Sequence, residues 1–389
     1  MITADQIDRL VKHSSPHSVS LWLPTHRAGD DRKQDPIRMK NLLGQAESRL
    51  AEEGLRPPEA AERITPLRKI AADGEFWRHQ SAGLGVFLGD GQPMVLHAPV
   101  EVPEVVCVGE HYYVKPLFGR MHQDLGFYLL RLSKNRVKLY RAGRYDMEEV
   151  DLPDAPDSFE DFLRADEFEP HLDYHSGAAE HDTATRRPLK FHGQGDAAED
   201  RYEKKRLSNF CRWIDAEVAK AVYQEHAPLL LAATEPLQGM YRQVSSCREL
   251  DGRGVSLNPD DAGEEALHRR AVEVLENDFA RLVEDAVERF GTAGGAGMAE
   301  GELEAVLRAG HARAIDTLLI REDRELWGRF DGEQGHFEQH EQRRPGDEDL
   351  LNLAAVLAAR GGGQVYAVEG EKVPGAGPAA AVLRFRPQA

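Results

Sequence analysis

The sequence predicts a mixed α/β fold in which three successive units each combine a β-sheet with packed helices. Apolar or alternating runs with strand character recur along the chain, and segments with helical periodicity separate them. The length points the same way, because 389 residues with 41% hydrophobic content are enough for several buried cores. We place the domains at 1–120, 121–255 and 256–389.

Composition limits the environment and the partners of the chain. A formal net charge of −18 disfavours unspecific binding of DNA through a broadly basic surface, although an acidic body can carry a local basic patch. No apolar run is long enough to span a membrane, and the N-terminus does not resemble a signal peptide. The cysteines, Cys107, Cys211 and Cys247, are far apart and form no CxxC pair, which is typical of free thiols. We expect a cytoplasmic protein that binds neither membranes nor DNA.

The first unit is predicted to alternate helices with short strands. Thr3 is a suitable N-cap for the first helix, and Pro24 stops the first strand. Pro36 stands where a helix can begin and Gly54 where it can end. A Gly-Asp-Gly turn indicates a hairpin. The elements are helices over about 3–13, 36–54 and 58–73, and strands at SVSLWLP, GVFL, MVLHA and EVVCVGEHYYVKPL.

The middle unit is predicted to open with two long strands, over 126–132 and 136–141, and a third short strand that ends at Pro153. The span 154–198 has no clear periodicity, and a loop of that length is usually functional or disordered. A long charged helix over about 197–226 and the buried strand PLLLAA follow it. This order favours a central sheet with helices packed on it.

The third unit is predicted to be an α/β sandwich that begins with a long acidic helix over 263–290. The segment GTAGGAG lacks the GK[ST] of a phosphate-binding loop, so we interpret it as a linker. The remaining elements are helices over 301–310 and 347–361, a polar segment over 321–347, and strands over 315–320, 364–369 and 380–386.

The stretch from Arg186 to Glu217 is the clearest candidate for a functional site. Its tight turn holds a glutamine between two glycines, so the backbone can approach a partner closely and the side chain can both donate and accept. Basic residues stand on both sides, and such residues bind phosphate. By themselves these features favour a solvated loop and a charged helix face; with the family resemblance described below, we interpret the stretch as an RNA-contacting tip. The candidate RNA-binding residues are Arg186, Arg187, Lys190, His192, Gly193, Gln194, Gly195, Lys204, Lys205 and Arg206.

Other polar clusters do not fit a known site, so no metal ion or cofactor is predicted. Histidines and aspartates crowd the loop over 171–182 without a standard ligand spacing. His336 and His340 could share a helix face, but their neighbours do not form the HExxH arrangement. A literal Gly-Gly-Gln at 362–364 lies between a helix and a buried strand, where glycines cap the helix end.

Three of these segments resemble the bacterial archaeo-eukaryotic release factor family, relatives of the class I peptide-chain release factors and Pelota. GFYLLRLSKNRVKLYRAGRYDMEEVDLP is similar to the opening strands of that family's middle domain. HGQGDAAEDRYEKKRLSNF stands where the family has a Gly-Gly-Gln loop and a helix with the pattern R-F/Y-x-x-x-R. HARAIDTLLI and PGAGPAAAVLRFR resemble its C-terminal domain, which has the fold of kink-turn-binding ribosomal proteins. The resemblance implies a three-domain, release-factor/Pelota-like architecture.

The resemblance also implies a function at the ribosomal A site, with rRNA as the partner of the tip at 192–195 near the peptidyl-transferase centre. The C-terminal domain would face a translational GTPase or the ribosomal stalk base. Two departures matter: His192 replaces the first glycine of the loop, and DDRKQDPIRMKNLL contains no stop-codon loop of the Asn-Ile-Lys-Ser type. They favour ribosome rescue or hibernation under stress, without catalysis. The alternatives are a codon-independent peptidyl-tRNA hydrolase with Gln194 as its catalytic residue, and a stress-response interaction protein without ribosomal function.

Overall fold

A computed structural model describes residues 4–26, 29–119, 126–168, 195–223, 227–375 and 377–387. The chain forms two compact units, of which the first joins residues 1–124 to residues 277–389 and the second contains residues 125–276. Helices and β-sheets alternate along both, so the predicted mixed α/β class is confirmed. The division into three domains at the predicted boundaries stays a prediction.

The helices and strands are numbered in chain order over the described residues. The helices are α1 (Ala4–Lys12), α2 (Asp35–Glu52), α3 (Pro57–Arg63), α4 (Thr65–Ala72), α5 (Phe159–Phe168), α6 (Gly195–Val222), α7 (Glu235–Val244), α8 (Glu264–Gly295), α9 (Leu303–His311) and α10 (Leu350–Arg360). The strands are β1 (Ser18–Pro24), β2 (Gly83–Leu88), β3 (Met94–Ala98), β4 (Val105–Gly109), β5 (Phe127–Leu132), β6 (Val137–Ala142), β7 (Met147–Val150), β8 (Leu229–Ala233), β9 (Leu250–Ser256), β10 (Ala299–Glu300), β11 (Ile315–Arg321), β12 (Trp327–Asp331), β13 (His336–His340), β14 (Glu348–Asp349), β15 (Gln364–Val368) and β16 (Ala379–Leu383).

Some local predictions were wrong, and each has a physical reason. The expected linker GTAGGAG is largely helical, since α8 continues to Gly295 and a helix tolerates glycine at a cost of about 1 kcal/mol per residue. The polar segment 321–347 contains the antiparallel pair β12–β13, whose residues are mostly half-exposed and give no strong apolar signal. His336 and His340 therefore lie on a strand, not on a helix. The predicted helix over 58–73 divides into α3 and α4.

The first unit is organised around β1, a strand that is buried on both faces. The sheet has the order β3-β2-β1-β4, and all its pairs are antiparallel. Leu21 points to one side and packs in a core with Leu42 and Leu50 of α2. Trp22 points to the other side and packs in a core that includes Leu351 of α10. Such side chains contribute roughly 1.5–3 kcal/mol each when fully buried, so the two ends of the chain stabilise one another.

Polar contacts join the segment after β4 to the start of α10. Asn352 Oδ1 accepts hydrogen bonds from the backbone nitrogens of Val114 (2.7 Å) and Lys115 (3.0 Å), and Asn352 Nδ2 donates to the carbonyl of Tyr112 (3.0 Å). Lys115 Nζ forms a buried ion pair with Asp349 Oδ2 at 2.9 Å. Asp349 also caps α10, because its Oδ1 accepts from the backbone nitrogen of Leu351 at 3.1 Å. Residues from the first and last thirds of the chain thus share one polar network.

A second polar contact between these segments predicts a pH dependence of stability. Glu348 accepts hydrogen bonds from the backbone nitrogen of His111 (2.7 Å) and pairs with its Nδ1 (2.9 Å). Burial works to raise the pKa of Glu348, but the hydrogen bonds and charge of His111 together outweigh it and hold that pKa below the ordinary value of 4.5. A lowered carboxyl pKa stabilises the folded state above about pH 4.5, and that stabilisation disappears as the pH falls through the folded value.

Glu348→Gln should therefore lower the free energy of unfolding by about 2 kcal/mol at pH 7, because a charge-assisted hydrogen bond is lost. It should also reduce the loss of stability that the natural chain shows below about pH 4.5. Urea unfolding at pH 7, 5 and 3.5 measures both effects. Exposed Glu338→Gln is the control, and an identical pH profile in the two variants would contradict the assignment.

The second unit contains one five-stranded sheet in the order β7-β6-β5-β8-β9. Strands β5, β6 and β7 pair antiparallel, whereas β8 pairs parallel with both β5 and β9. Leu130, Leu229 and Leu231 are fully buried and face the apolar side of α6. The sheet thereby holds α6, the helix that begins at the predicted tip.

Candidate nucleic-acid interface

The C-terminal half of α6 is fixed to the body of the second unit. Phe210, Ile214 and Val218 are four residues apart and fully buried, so they form one apolar stripe along the helix. Asp215 is also buried, and its carboxylate accepts hydrogen bonds from the backbone nitrogen (2.6 Å) and hydroxyl (2.9 Å) of Ser246. This part of α6 is a rigid base for the residues that precede it.

An aromatic cluster joins α5 to the same part of α6. The rings of Phe159 and Phe210 are 5.4 Å apart in an edge-to-face arrangement, and those of Phe162 and Trp213 are 6.0 Å apart. The indole Nε1 of Trp213 donates to the carbonyl of Asp154 at 2.8 Å. Aromatic pairs of this geometry stabilise by about 0.5–1.5 kcal/mol beyond the area they bury. The helix that sequence analysis did not predict, α5, therefore braces α6.

The basic end of α6, which we define as Tyr202, Lys204, Lys205 and Arg206, is solvent-exposed except for the half-buried Arg206. The guanidinium of Arg206 lies 4.6 Å from the centre of the Tyr202 ring, and 58% of Tyr202 is exposed. No described residue forms an ion pair with Lys204 or Lys205. Ammonium groups suit phosphates, and an exposed aromatic ring suits an unstacked base. The basic end of α6 thus has the chemistry of a nucleic-acid interface.

Lys134, in the turn between β5 and β6, places a further cation beside the basic end of α6. Its ammonium is 2.6 Å from the Glu203 carboxylate and 5.8 Å from the Phe159 ring. The hydrogen bond from Lys134, and then its charge, lower the pKa of Glu203. Both partners are about half exposed, so the pair adds little to stability. Sequence analysis missed Lys134, because a lysine in a hairpin turn signals only exposure.

The predicted site residues divide into two groups. Lys204, Lys205 and Arg206 lie together on one segment of α6, and Gly195 is the first residue of that helix. The others lie outside the described residues: Arg186, Arg187, Lys190, His192, Gly193 and Gln194. The histidine-rich loop over 171–182 lies outside them as well.

The literal Gly-Gly-Gln sequence is part of a helix end, as predicted. Gly362 follows α10 with a φ of +74°, a backbone conformation that favours glycine. Arg384 Nη1 donates to the carbonyl of Gly361 at 2.8 Å. A Cβ atom on Gly363 would lie 2.8 Å from the carbonyl oxygen of Ile315, and Gln364 begins β15. Close packing and helix termination explain these glycines without a functional role.

Among the described residues of α6, no cysteine is present as a thiolate at neutral pH. Burial, and to a smaller extent the charge of Asp215, raise the pKa of the Cys211 thiol to about 12. Across the described ranges, no three His, Cys, Asp or Glu side chains are grouped so that they could hold a metal ion. In the same ranges, no helix is long and apolar enough to cross a membrane.

The second unit is an α/β fold in which a five-stranded sheet supports the long helix α6. The exposed end of this helix carries basic and aromatic side chains, which are suited to binding nucleic acid. The sequence of this unit is similar to a known family: residues 127–277, less than half of the chain, match the model of bacterial archaeo-eukaryotic release factor family 7. The match begins at the first residue of β5 and includes all of α6. The resemblance to this family, expected from the motifs, is confirmed over these residues. No curated protein matches the chain.

Solved release-factor and Pelota structures align with nearly the whole chain at low identity. The archaeal translation termination factor aRF1 is 16% identical, with 98% of this chain and 97% of that chain covered and a TM-score of 0.25. Pelota from Archaeoglobus fulgidus is 12% identical, with 99% and 93% covered and a TM-score of 0.30. Archaeal Pelota from a model of ribosome-bound Pelota and ABCE1 is 10% identical, with 99% and 95% covered and a TM-score of 0.35.

Proposed function

We propose that the protein is a ribosome-associated translation factor that occupies the A site in ribosome rescue or hibernation and does not read stop codons. The observation that carries this proposal is the family match, because it covers the unit whose α6 presents the basic end. Members of a release-factor family act on the ribosome, where phosphate and unpaired bases are the available ligands.

The proposed contact with rRNA involves both sides of the tip. Lys204, Lys205 and Arg206 supply positive charge and the Tyr202–Arg206 pair supplies a stacking surface. The preceding residues Arg186, Arg187 and Lys190 would extend the contact toward the peptidyl-transferase centre. The net charge of −18 means that such binding has to be local, since the remainder of the surface repels phosphate. The proposed setting is the cytoplasm under stress, with a translational GTPase as a further partner and no DNA or membrane.

The substitution of His192 for the first glycine of the loop supports a role without peptide release. Histidine restricts the backbone at a position where the family uses the most permissive residue. Gln194 keeps its place in the motif, which supports the second candidate, a codon-independent peptidyl-tRNA hydrolase. The two candidates differ in one assay: release of a labelled peptide from stalled ribosomes, compared between the natural chain and Gln194→Ala. Activity that disappears with Gln194→Ala would establish the hydrolase.

Reversing the charge at Lys204 and Lys205 should weaken ribosome binding at least tenfold, because two phosphate contacts would become repulsive. The slope of log affinity against log salt should fall by about 2, one for each lysine. The measurement is co-sedimentation of Lys204→Glu/Lys205→Glu with ribosomes from growing and starved cells at several salt concentrations. Arg212→Glu/Lys220→Glu is a matched control, since it makes the same charge change further along α6 on exposed residues.

Equal loss of binding in both double variants would mean that only net charge matters and would remove the basic end of α6 from the interface. Absence of the natural chain from ribosomal fractions in both growth states would contradict the proposed function itself. A stress-response interaction protein without ribosomal function would then be the remaining candidate.

A further inference from the structure

A groove between α2 and α4 is open at the surface of the first unit. It has a volume of about 660 Å³, and its apolar lining is formed by Pro36, Ile37, Leu43, Gly44, Ala71 and Ala72. Ile37 is among the few large hydrophobic side chains that the described residues leave exposed, at 54%. Both helices are otherwise held by buried apolar residues, such as Met39 and Leu67, that face the core. The groove is therefore an additional apolar surface on a firmly packed pair of helices.

Gly44 has no structural reason to be glycine. It lies inside the 18-residue helix α2, where glycine is about 1 kcal/mol less favourable than alanine. Its backbone does not have a positive φ, and a Cβ atom would meet nothing within 4 Å. Ile37 precedes it by seven residues, or two helical turns, and so lies on the same face. Glycine at this position leaves an open space beside Ile37 that a side chain of a bound partner could fill.

The charge at the groove indicates the chemistry of the occupant. Lys40 and Arg68 are the charged residues of its lining, and both are exposed. No described residue forms an ion pair with Lys40, whereas Arg68 pairs with Glu47 of α2. With Arg68 paired, the ammonium of Lys40 places an available positive charge at the edge of an apolar floor, on a chain with a net charge of −18. It would attract a ligand that is apolar along its centre and negatively charged at its edge.

We propose that the α2–α4 groove binds an amphipathic α-helix of a partner protein, with acidic residues flanking its apolar face. Two side-by-side helices with apolar residues between them are a common receptor for a third helix, which inserts side chains at i, i+3/i+4 and i+7. A small molecule fits less well, because small-molecule sites add convergent polar groups that fix orientation, and this lining has only the two cations at its rim. The proposal does not depend on ribosome binding.

The test uses a synthetic 16-residue helical peptide with leucines at 3/4 spacing and flanking glutamates. A second peptide carries lysines in place of the glutamates. Binding to the full-length chain is followed by methyl NMR of Ile37 and Leu43, which report from the groove itself. The glutamate peptide should shift both methyl signals in a saturable manner, and the lysine peptide should bind at least tenfold more weakly. Added salt should weaken the binding of the glutamate peptide, since interactions between exposed charges are screened.

Gly44→Leu should reduce the affinity of the glutamate peptide at least tenfold, because the leucine side chain occupies the groove. The helix should stay folded, since the Cβ position is open and leucine is a better helix former than glycine. Gly294→Leu is the matched control: it is also an exposed helical glycine with an open Cβ position, but it lies in α8. Gly294→Leu should bind the peptide as the natural chain does.

Four results would overturn the proposal. The first is equal binding of the two peptides, and the second is unchanged affinity in Gly44→Leu. The third is saturation of the Ile37 and Leu43 methyl shifts by dodecanoate but not by the glutamate peptide. The fourth is concentration-dependent self-association that Gly44→Leu abolishes. The third result would assign the groove to an anionic lipid-like ligand, and the fourth to a second copy of this chain.

Discussion

Replacing Lys115 by methionine should lower the free energy of unfolding of the first unit by about 3–5 kcal/mol. The substitution removes one partner of a buried ion pair and leaves the Asp349 carboxylate, which is itself almost fully buried, without a counter-ion. Lys115 Nζ also donates to the carbonyl of Arg324 at 2.7 Å, so a second hydrogen bond is lost. Urea or thermal unfolding monitored by tryptophan fluorescence measures the effect, because Trp22 lies in the same core.

The double variant Lys115→Met/Asp349→Asn should recover part of that loss. Asparagine removes the uncompensated charge and keeps an oxygen that can cap α10, as Asp349 Oδ1 does for the nitrogen of Leu351. A double-mutant cycle with the two single variants gives the coupling free energy. Additive effects would show that the two side chains act independently and would contradict the central role of this pair.

Separating the two parts of the first unit should prevent either part from folding. Residues 1–119 alone would expose Trp22, Tyr112 and the other side chains that pack against α9 and α10. We expect this fragment to bind the dye ANS and to lack a cooperative thermal transition. Residues 126–276 should fold alone, because their sheet and helices share a separate core. Mixing fragments 1–119 and 277–389 should restore a cooperative transition.

The folding of each fragment is measured by circular dichroism and two-dimensional NMR spectra. A dispersed spectrum and a cooperative transition for residues 1–119 alone would support the three-domain division at 120/121 and contradict the shared core. The full-length chain with the Glu348→Gln substitution is a useful reference, since it weakens the same junction without removing any segment.

Local patterns in the sequence were sufficient for many elements. The run SVSLWLP predicted β1 over 18–24, and the structure has the strand Ser18–Pro24. The charged run after the loop predicted a helix over about 197–226, and the structure has α6 over Gly195–Val222. These elements are set by side-chain periodicity over a few neighbouring residues, which sequence shows directly.

Long-range association could not be predicted in the same way. Lys115, Asp349 and Asn352 look like ordinary surface residues, and only the fold shows that they are buried against one another. The stacking of Arg206 on Tyr202 agrees with the family pattern R-F/Y-x-x-x-R, but its geometry comes from the helix. The groove at Gly44 was missed because a lone helical glycine has no distinctive sequence signal. For the loop that contains Gln194, the interpretation depends on sequence alone.

The discontinuous first unit has a consequence for synthesis of the chain. When residues up to Phe118 have left the ribosome, their apolar surfaces still lack the partners that α9, α10 and β16 provide. The complete second unit, Leu125–Glu276, has to be translated first, and at about 5–20 residues per second this takes roughly 8–30 s. Since β16 lies between β10 and β11 in its sheet, that sheet closes only when Ala379–Leu383 has emerged. The nascent chain is therefore an expected client of ribosome-bound chaperones, and its yield should depend on translation speed through the middle of the message.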